Sequence, residues 1–98
     1  MEILKPYRAK IDALDQQIIK LLRERYDVIE EVGELKAAHG IAATLPDRVE
    51  EVRENAARLA GSLGLDEAFI REIYAQIIAH SCETEEQIIT QSQNRKVS

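Results

Sequence analysis

Three polar residues of this chain, Arg25, Ser81 and Glu85, stand where apolar side chains are due, and a fourth, Lys36, shares the helix face of Arg25. In the first third of the chain, apolar residues recur in alternating steps of three and four: Leu4, Tyr7, Ile11, Leu14, Ile18, Leu21, then Val28, Val32 and Leu35. Arg25 takes the place between Leu21 and Val28. A guanidinium held among apolar groups needs a carboxylate from the protein or an anionic ligand, because an unpaired buried charge is costly. Its plainer fate is a structural ion pair, or a side chain that reaches out to solvent. Lys36 follows eleven residues later, which at about 100° per residue leaves only about 20° between the two around a helix. Two cations aligned on one face repel unless something negative lies between or beside them. Together they describe a binding place for a small anion.

Other candidates are weighed against that pair. Arg8 lies seventeen residues before Arg25 and so points about 100° away on the same helix. It reaches a site built on Arg25 only from another chain. Arg48 sits beside Leu45 and Val49, where a solvated surface arginine is the plainer reading. Ser81 and Glu85 are one helical turn apart, between Ile77/Ile78 and Ile88/Ile89. A carboxylate in such a stripe favours its neutral form unless a cation pairs with it. A salt bridge to Arg25 or Lys36 is the structural alternative. His39 and His80 stand apart with no metal-ligand cluster around them, and no glycine-rich phosphate loop is present. Cys82 has no histidine at a recognisable spacing and reads as an inert small residue.

The elements that must carry these residues are helices. The alternating pattern predicts a first helix over about Pro6 to His39, with Pro6 in the first turn. Gly40 is suited to cap it. Thr44, with Asp47 three residues on, suggests an approximate capping box for a second helix with the stripe Leu45, Val49, Val52, Ala56 and Leu59. The stretch Gly61-Ser62-Leu63-Gly64 breaks it. Asp66 is a good N-cap for a third helix, Glu67 to about Ser92, striped by Ile70, Ile73, Tyr74, Ile77, Ile78, Ser81, Glu85 and Ile88. The polar tail, Gln93 to Ser98, reads as frayed. The fold class is all-α, with three helices in one domain over residues 1–98 and no strand. A first helix of some 34 residues would be about 50 Å long, whereas a compact domain of this size has a radius of gyration near 13 Å. The second and third helices cannot cover that length, so a homodimer of interlocked helices is the simplest arrangement.

Composition bounds the function. The net charge of −5 argues against nucleic acid or an acidic membrane surface as the main partner. It leaves room for a small anionic ligand bound by local positive charge. The single cysteine forbids an intrachain disulfide. The beginning of the chain lacks signal-peptide shape and no apolar run is long enough to span a bilayer, so a cytoplasmic location is the expectation.

Over about residues 5 to 90 the chain resembles the all-α (AroQ-class) chorismate mutase family. The likeness rests on Arg8-x-x-Ile11-Asp12-x-Leu14-Asp15, on Leu22-x-x-Arg25, and on Val32-Gly33-x-x-Lys36 at matching spacing, with Arg48 and Ser81 in corresponding places. The resemblance implies an intertwined homodimer with two equivalent sites and a dicarboxylate substrate of the chorismate type. The reaction would be a unimolecular pericyclic [3,3] rearrangement that needs no cofactor, metal or nucleophile. It further implies that Arg8 enters from the partner chain to bind a carboxylate and that Arg25 binds the other. Lys36 would donate to the ether oxygen, and Arg48 and Ser81 would hold the carboxylates.

Three positions depart from the family pattern. Leu45 and Val49 replace an acidic pair that commonly lies near the C4 hydroxyl of chorismate, and Glu85 stands where many members carry glutamine as a second donor to the ether oxygen. Glu85 is expected to act there as a protonated donor with a raised pKa, favouring turnover at mildly acidic pH; the competing expectation is an ionised Glu85 that faces a substrate ammonium. The apolar pair suits a mutase of 4-amino-4-deoxychorismate. Pro46-Asp47-Arg48-Val49 and Ala75-Gln76-Ile77-Ile78 are similar to isochorismate-pyruvate lyases of the same fold. A non-enzymatic alternative is a helical dimerisation or regulatory module in which Arg25 pairs with Glu85.

Overall fold

The computed structural model describes residues 2–97, and side chains as far as residue 95. A single 3-10 turn, Glu2–Leu4, leads into three helices: α1 (Lys5–His39), α2 (Pro46–Ser62) and α3 (Glu67–Val97). The described residues are all-α. No helix among them is long and apolar enough to cross a membrane.

The helix ends follow local chemistry. Pro6 sits in the first turn of α1, where its missing N–H costs nothing. Gly40 closes α1 in the left-handed conformation, φ 66°, and donates its backbone N–H to the Lys36 carbonyl. Asp66 caps α3, its Oδ1 accepting from the Phe69 backbone N–H at 3.2 Å.

Two ends differ from expectation. The second helix starts at Pro46 rather than Thr44, with an extended Leu45 before it and no side-chain cap. Proline at the first helical position favours an extended residue just ahead of it, and this outweighs the Thr44–Asp47 spacing. The third helix runs on to Val97, so residues 93–97 are helical rather than frayed; Ser98 lies outside the described residues.

α3 is the central element, packing on α1 and on α2, while α1 and α2 do not pack on each other. The chain is elongated, 62 × 27 × 15 Å, with a radius of gyration of 17.6 Å. That exceeds the roughly 13 Å of a compact domain of this length.

The two contacts with α3 use small residues. Gly33 is buried on α1, and a Cβ there would come within 2.9 Å of Ile88 Cδ1 and 3.4 Å of the Glu85 Cα. On α2 the buried residues are Ala57, fully enclosed at 0% exposure, and Ala60, whereas Leu45 and Leu59 of the expected stripe are exposed. The stripe is rotated because alanine lets α2 lie closer to α3 than leucine would. Outside this contact, Arg71 of α3 grips Glu54 of α2 through Nε and Nη2 at 3.0–3.2 Å. The hydrogen bond from Arg71 holds the Glu54 carboxyl below its ordinary value, against the opposing effect of desolvation.

The apolar pattern of α1 resolves into two faces. Leu22, Arg25, Tyr26, Ile29, Val32, Gly33, Lys36 and Ala37 form the sheltered stripe. The expected seam, Leu4, Tyr7, Ile11, Leu14, Ile18, Leu21, Val28 and Leu35, stays exposed from one end of the helix to the other, with Leu14 at 57%. Within that heptad, only Arg25 and Val32 belong to the sheltered face.

Candidate active site

A cavity of about 520 Å³ opens between the C-terminal half of α1, the start of α2 and the middle of α3. Arg25, Lys36, Leu45, Arg48, Val49, Ser81 and Glu85 all border it. The spacing argument about Arg25 and Lys36 is met: three turns of α1 present both cations to one space. The remaining wall is largely aliphatic, from Val28, Ile29, Val32, Val52 and Ile78.

Each polar group has a defined partner. Arg25 Nη1 donates to Ser81 Oγ at 2.7 Å, and Ser81 Oγ donates to the Ile77 carbonyl at 2.8 Å. Among the described residues, Arg25 forms no salt bridge to a carboxylate. Its expected protein counter-ion is replaced by a neutral hydroxyl, which directs the guanidinium without neutralising it. Lys36 takes the carboxylate instead: its Nζ lies 2.6 Å from Glu85 Oε1 and donates to the Ala43 carbonyl at 2.8 Å. The Lys36 and Glu85 side chains are only 15% and 6% exposed. Glu85 therefore answers to the salt-bridge reading, with Lys36 and not Arg25 as its partner.

Arg48 occupies the rim. Its side chain is 65% exposed and paired with Glu51 one turn along α2. Leu45 and Val49 add apolar surface and no hydrogen-bond acceptor from their side chains. Arg8 is not part of this cavity: it is exposed near the N-terminal end of α1, where the chain's own α2 and α3 supply no lining.

Sequence reasoning missed two contributors. Ala43 is buried in the connection between α1 and α2, and its backbone carbonyl reaches Lys36. A loop alanine carries no signal of such a role. Cys82, set aside as an inert helix residue, lines the cavity beside Ser81. Its position one residue after Ser81 could have suggested this.

The arrangement can hold a small dianion. Arg25 keeps most of its five N–H donors free of protein partners, and Lys36 adds a second cation. The largely aliphatic wall lowers the local dielectric and so strengthens both.

Comparison with known proteins agrees with this chemistry. Residues 7–86 match the family described as chorismate mutase type II. The chain is 37% identical over 86 residues to a 4-amino-4-deoxychorismate mutase of Streptomyces pristinaespiralis, covering 88% of this chain and 67% of that protein. It is 36% identical over 87 residues to a 4-amino-4-deoxychorismate mutase of Streptomyces venezuelae, covering 89% and 84%. A chorismate mutase of Methanocaldococcus jannaschii is 30% identical over 95 residues, covering 97% and 96%. A cavity with paired cations on one long helix, in a chain matched along most of its length, establishes that this protein belongs to the chorismate mutase type II family and is an isomerase.

Proposed function

We propose that this chain catalyses the [3,3] rearrangement of a chorismate-type dicarboxylate, with 4-amino-4-deoxychorismate as its preferred substrate and a homodimer as its working form. The observation that carries the reaction is the convergence of Arg25 and Lys36 on one aliphatic cavity, with Arg25 lacking a carboxylate partner. In the rearrangement the ether C–O bond breaks as a C–C bond forms between the ends of the folded substrate, and no atom is gained or lost. Arg25, directed by Ser81, binds one carboxylate, and Arg48 closes over the rim. Holding the folded conformer removes much of the entropic cost of reaching it. Lys36 donates to the ether oxygen as negative charge grows there. A preorganised donor of this kind is worth about 3–4 kcal/mol.

The choice of substrate is supported by the relatives, while the wall at Leu45 and Val49 tells against chorismate. Leu45 and Val49 offer no acceptor to a C4 hydroxyl, and leaving such a group unpaired costs about 1–3 kcal/mol; this penalises chorismate without by itself favouring an amine, which needs an acceptor too. The relatives at 37% and 36% identity both act on the amino analogue by name. The dimer is supported by the exposed seam of α1, eight apolar residues spaced in threes, fours and sevens. A second copy laid along it would bury that seam and bring the partner's Arg8 toward the cavity.

A parallel assay of chorismate, 4-amino-4-deoxychorismate and isochorismate, with products identified, tests the reading. The amino substrate should show the highest kcat/KM and yield the rearranged product. Faster turnover of chorismate would overturn the preference, and pyruvate release from isochorismate as the main activity would overturn the reaction.

A further inference from the structure

We infer that Glu85 is a positioning residue that works ionised and through Lys36, together with the buried Ala43 carbonyl, rather than as a proton donor to the substrate. This rests on the reading of Lys36 as the group that meets the breaking C–O bond.

The argument begins from the donors of an ammonium group. Lys36 Nζ has three N–H bonds. One goes to Glu85 Oε1 at 2.6 Å and one to the Ala43 carbonyl at 2.8 Å. Two acceptors set at different points, one on α3 and one in the loop after α1, define where the nitrogen sits. The third N–H is left for the cavity. A lysine on four flexible carbons is otherwise a poorly aimed donor, so the two anchors supply the aim. The Glu85 carboxylate is only 6% exposed, and the ammonium beside it compensates the hydration lost there. Gly33 keeps the two helices close enough for this, since its hydrogen faces the Glu85 backbone where a side chain would stand.

The same geometry tells against two other roles for Glu85. An ammonium 2.6 Å from Oε1 favours the charged carboxyl, and in that form Glu85 has no proton to give the ether oxygen. Its charge is already shared with Lys36, which weakens it as counter-ion for a substrate ammonium. The polar groups that border its cavity are Arg25 and Lys36 from α1, Arg48 from α2, and Ser81 and Cys82 from its own helix, and of these Lys36 is the one paired with it.

The test is the pH profile of kcat at saturating substrate for the wild-type protein and Glu85→Gln. The wild-type kcat should fall toward acid as Glu85 takes a proton and Lys36 loses its anchor, and the acid limb should vanish in Glu85→Gln, whose side chain does not titrate. A wild-type kcat that is flat or rises toward acid, with Glu85→Gln matching the acid plateau throughout, would overturn the inference. A second measurement needs no turnover. In the ligand-free protein, nuclear magnetic resonance of 15N-lysine should show the Lys36 ammonium exchanging its protons more slowly than surface lysines, and faster exchange in Glu85→Gln. Exchange as fast as at the surface in the wild-type protein would overturn the anchoring itself. If no substrate is rearranged while Lys36 is protected, the proposed function fails and the anchoring stands.

Discussion

The two halves of α1 belong to one unbroken helix with one apolar rhythm, yet they live in different surroundings. Beyond Leu22 the helix leans on α3, and its inward face carries Arg25, Gly33 and Lys36. Before Leu22 every described residue of the helix is exposed, Tyr7, Ile11, Leu14 and Ile18 among them. The uncovered seam is the more apolar of the two, since the covered face carries Arg25 and Lys36, so hydrophobicity does not decide which half is covered. The difference is the length of α3 and where Gly33 lets it approach. One half makes a cavity; the other presents a seam.

The sharpest way to probe that contrast is to disable the covered half. Lys36→Met removes the donor and orphans Glu85, and kcat/KM should fall by about 10²–10³-fold in a product-identified assay. A loss of less than tenfold would mean that the cavity is not where the bond breaks. The uncovered half is tested by mixing. If Arg8 serves the partner's cavity, Arg8→Ala and Arg25→Ala are each nearly inactive, and equal amounts dissociated and reassembled together should recover about a quarter of the wild-type rate, since half of the dimers are mixed and each has one intact site. No recovery would place Arg8 and Arg25 in the same site of one chain, or Arg8 in none.

A smaller effect should come from the residue where the halves meet their neighbours differently. Gly33→Val forces a branched side chain against Ile88 and the Glu85 backbone. It should destabilise the fold by about 1–3 kcal/mol, read from denaturant unfolding. Leu14→Glu is its counterpart in the open half. In a lone chain it would be nearly silent, whereas in a dimer it should shift sedimentation toward a monomer at a cost of about 1.5–3 kcal/mol per buried leucine lost.

The smallest effect belongs to the far side of α3. Because Glu54 has a depressed carboxyl in the folded protein, its contribution is present above the unfolded value and lost as pH falls through the folded one. Glu54→Gln should therefore lower Tm slightly near neutrality and match the wild-type protein in acid. A gap in Tm that persists in acid would mean the Arg71 grip depends on shape rather than charge.

Much of the site was legible along the chain because it consists of rule-breaking residues. Charged groups inside a heptad are conspicuous, and helical periodicity alone puts Arg25 and Lys36 on one face. The same reasoning paired Glu85 with either cation and could not choose. It also took the seam of α1 for its covered face, missing that Val28 and Leu35 stay open while Ile29 and Gly33 turn inward. Periodicity gives the angle between residues, not the direction from which a neighbour arrives.

What the sequence determined by itself is local: three helices, their glycine, proline and aspartate boundaries, and the angular placing of Arg25 and Lys36. These depend on backbone preferences and on a repeat of 3.6 residues. What only the tertiary structure decided is pairwise. Ser81 rather than a carboxylate meets Arg25, Glu85 meets Lys36, and the carbonyl of an unremarkable alanine completes that contact. Those partners lie up to 56 residues apart along the chain. Their meeting depends on how closely α3 can approach α1 at Gly33, a distance set by packing rather than by any repeat.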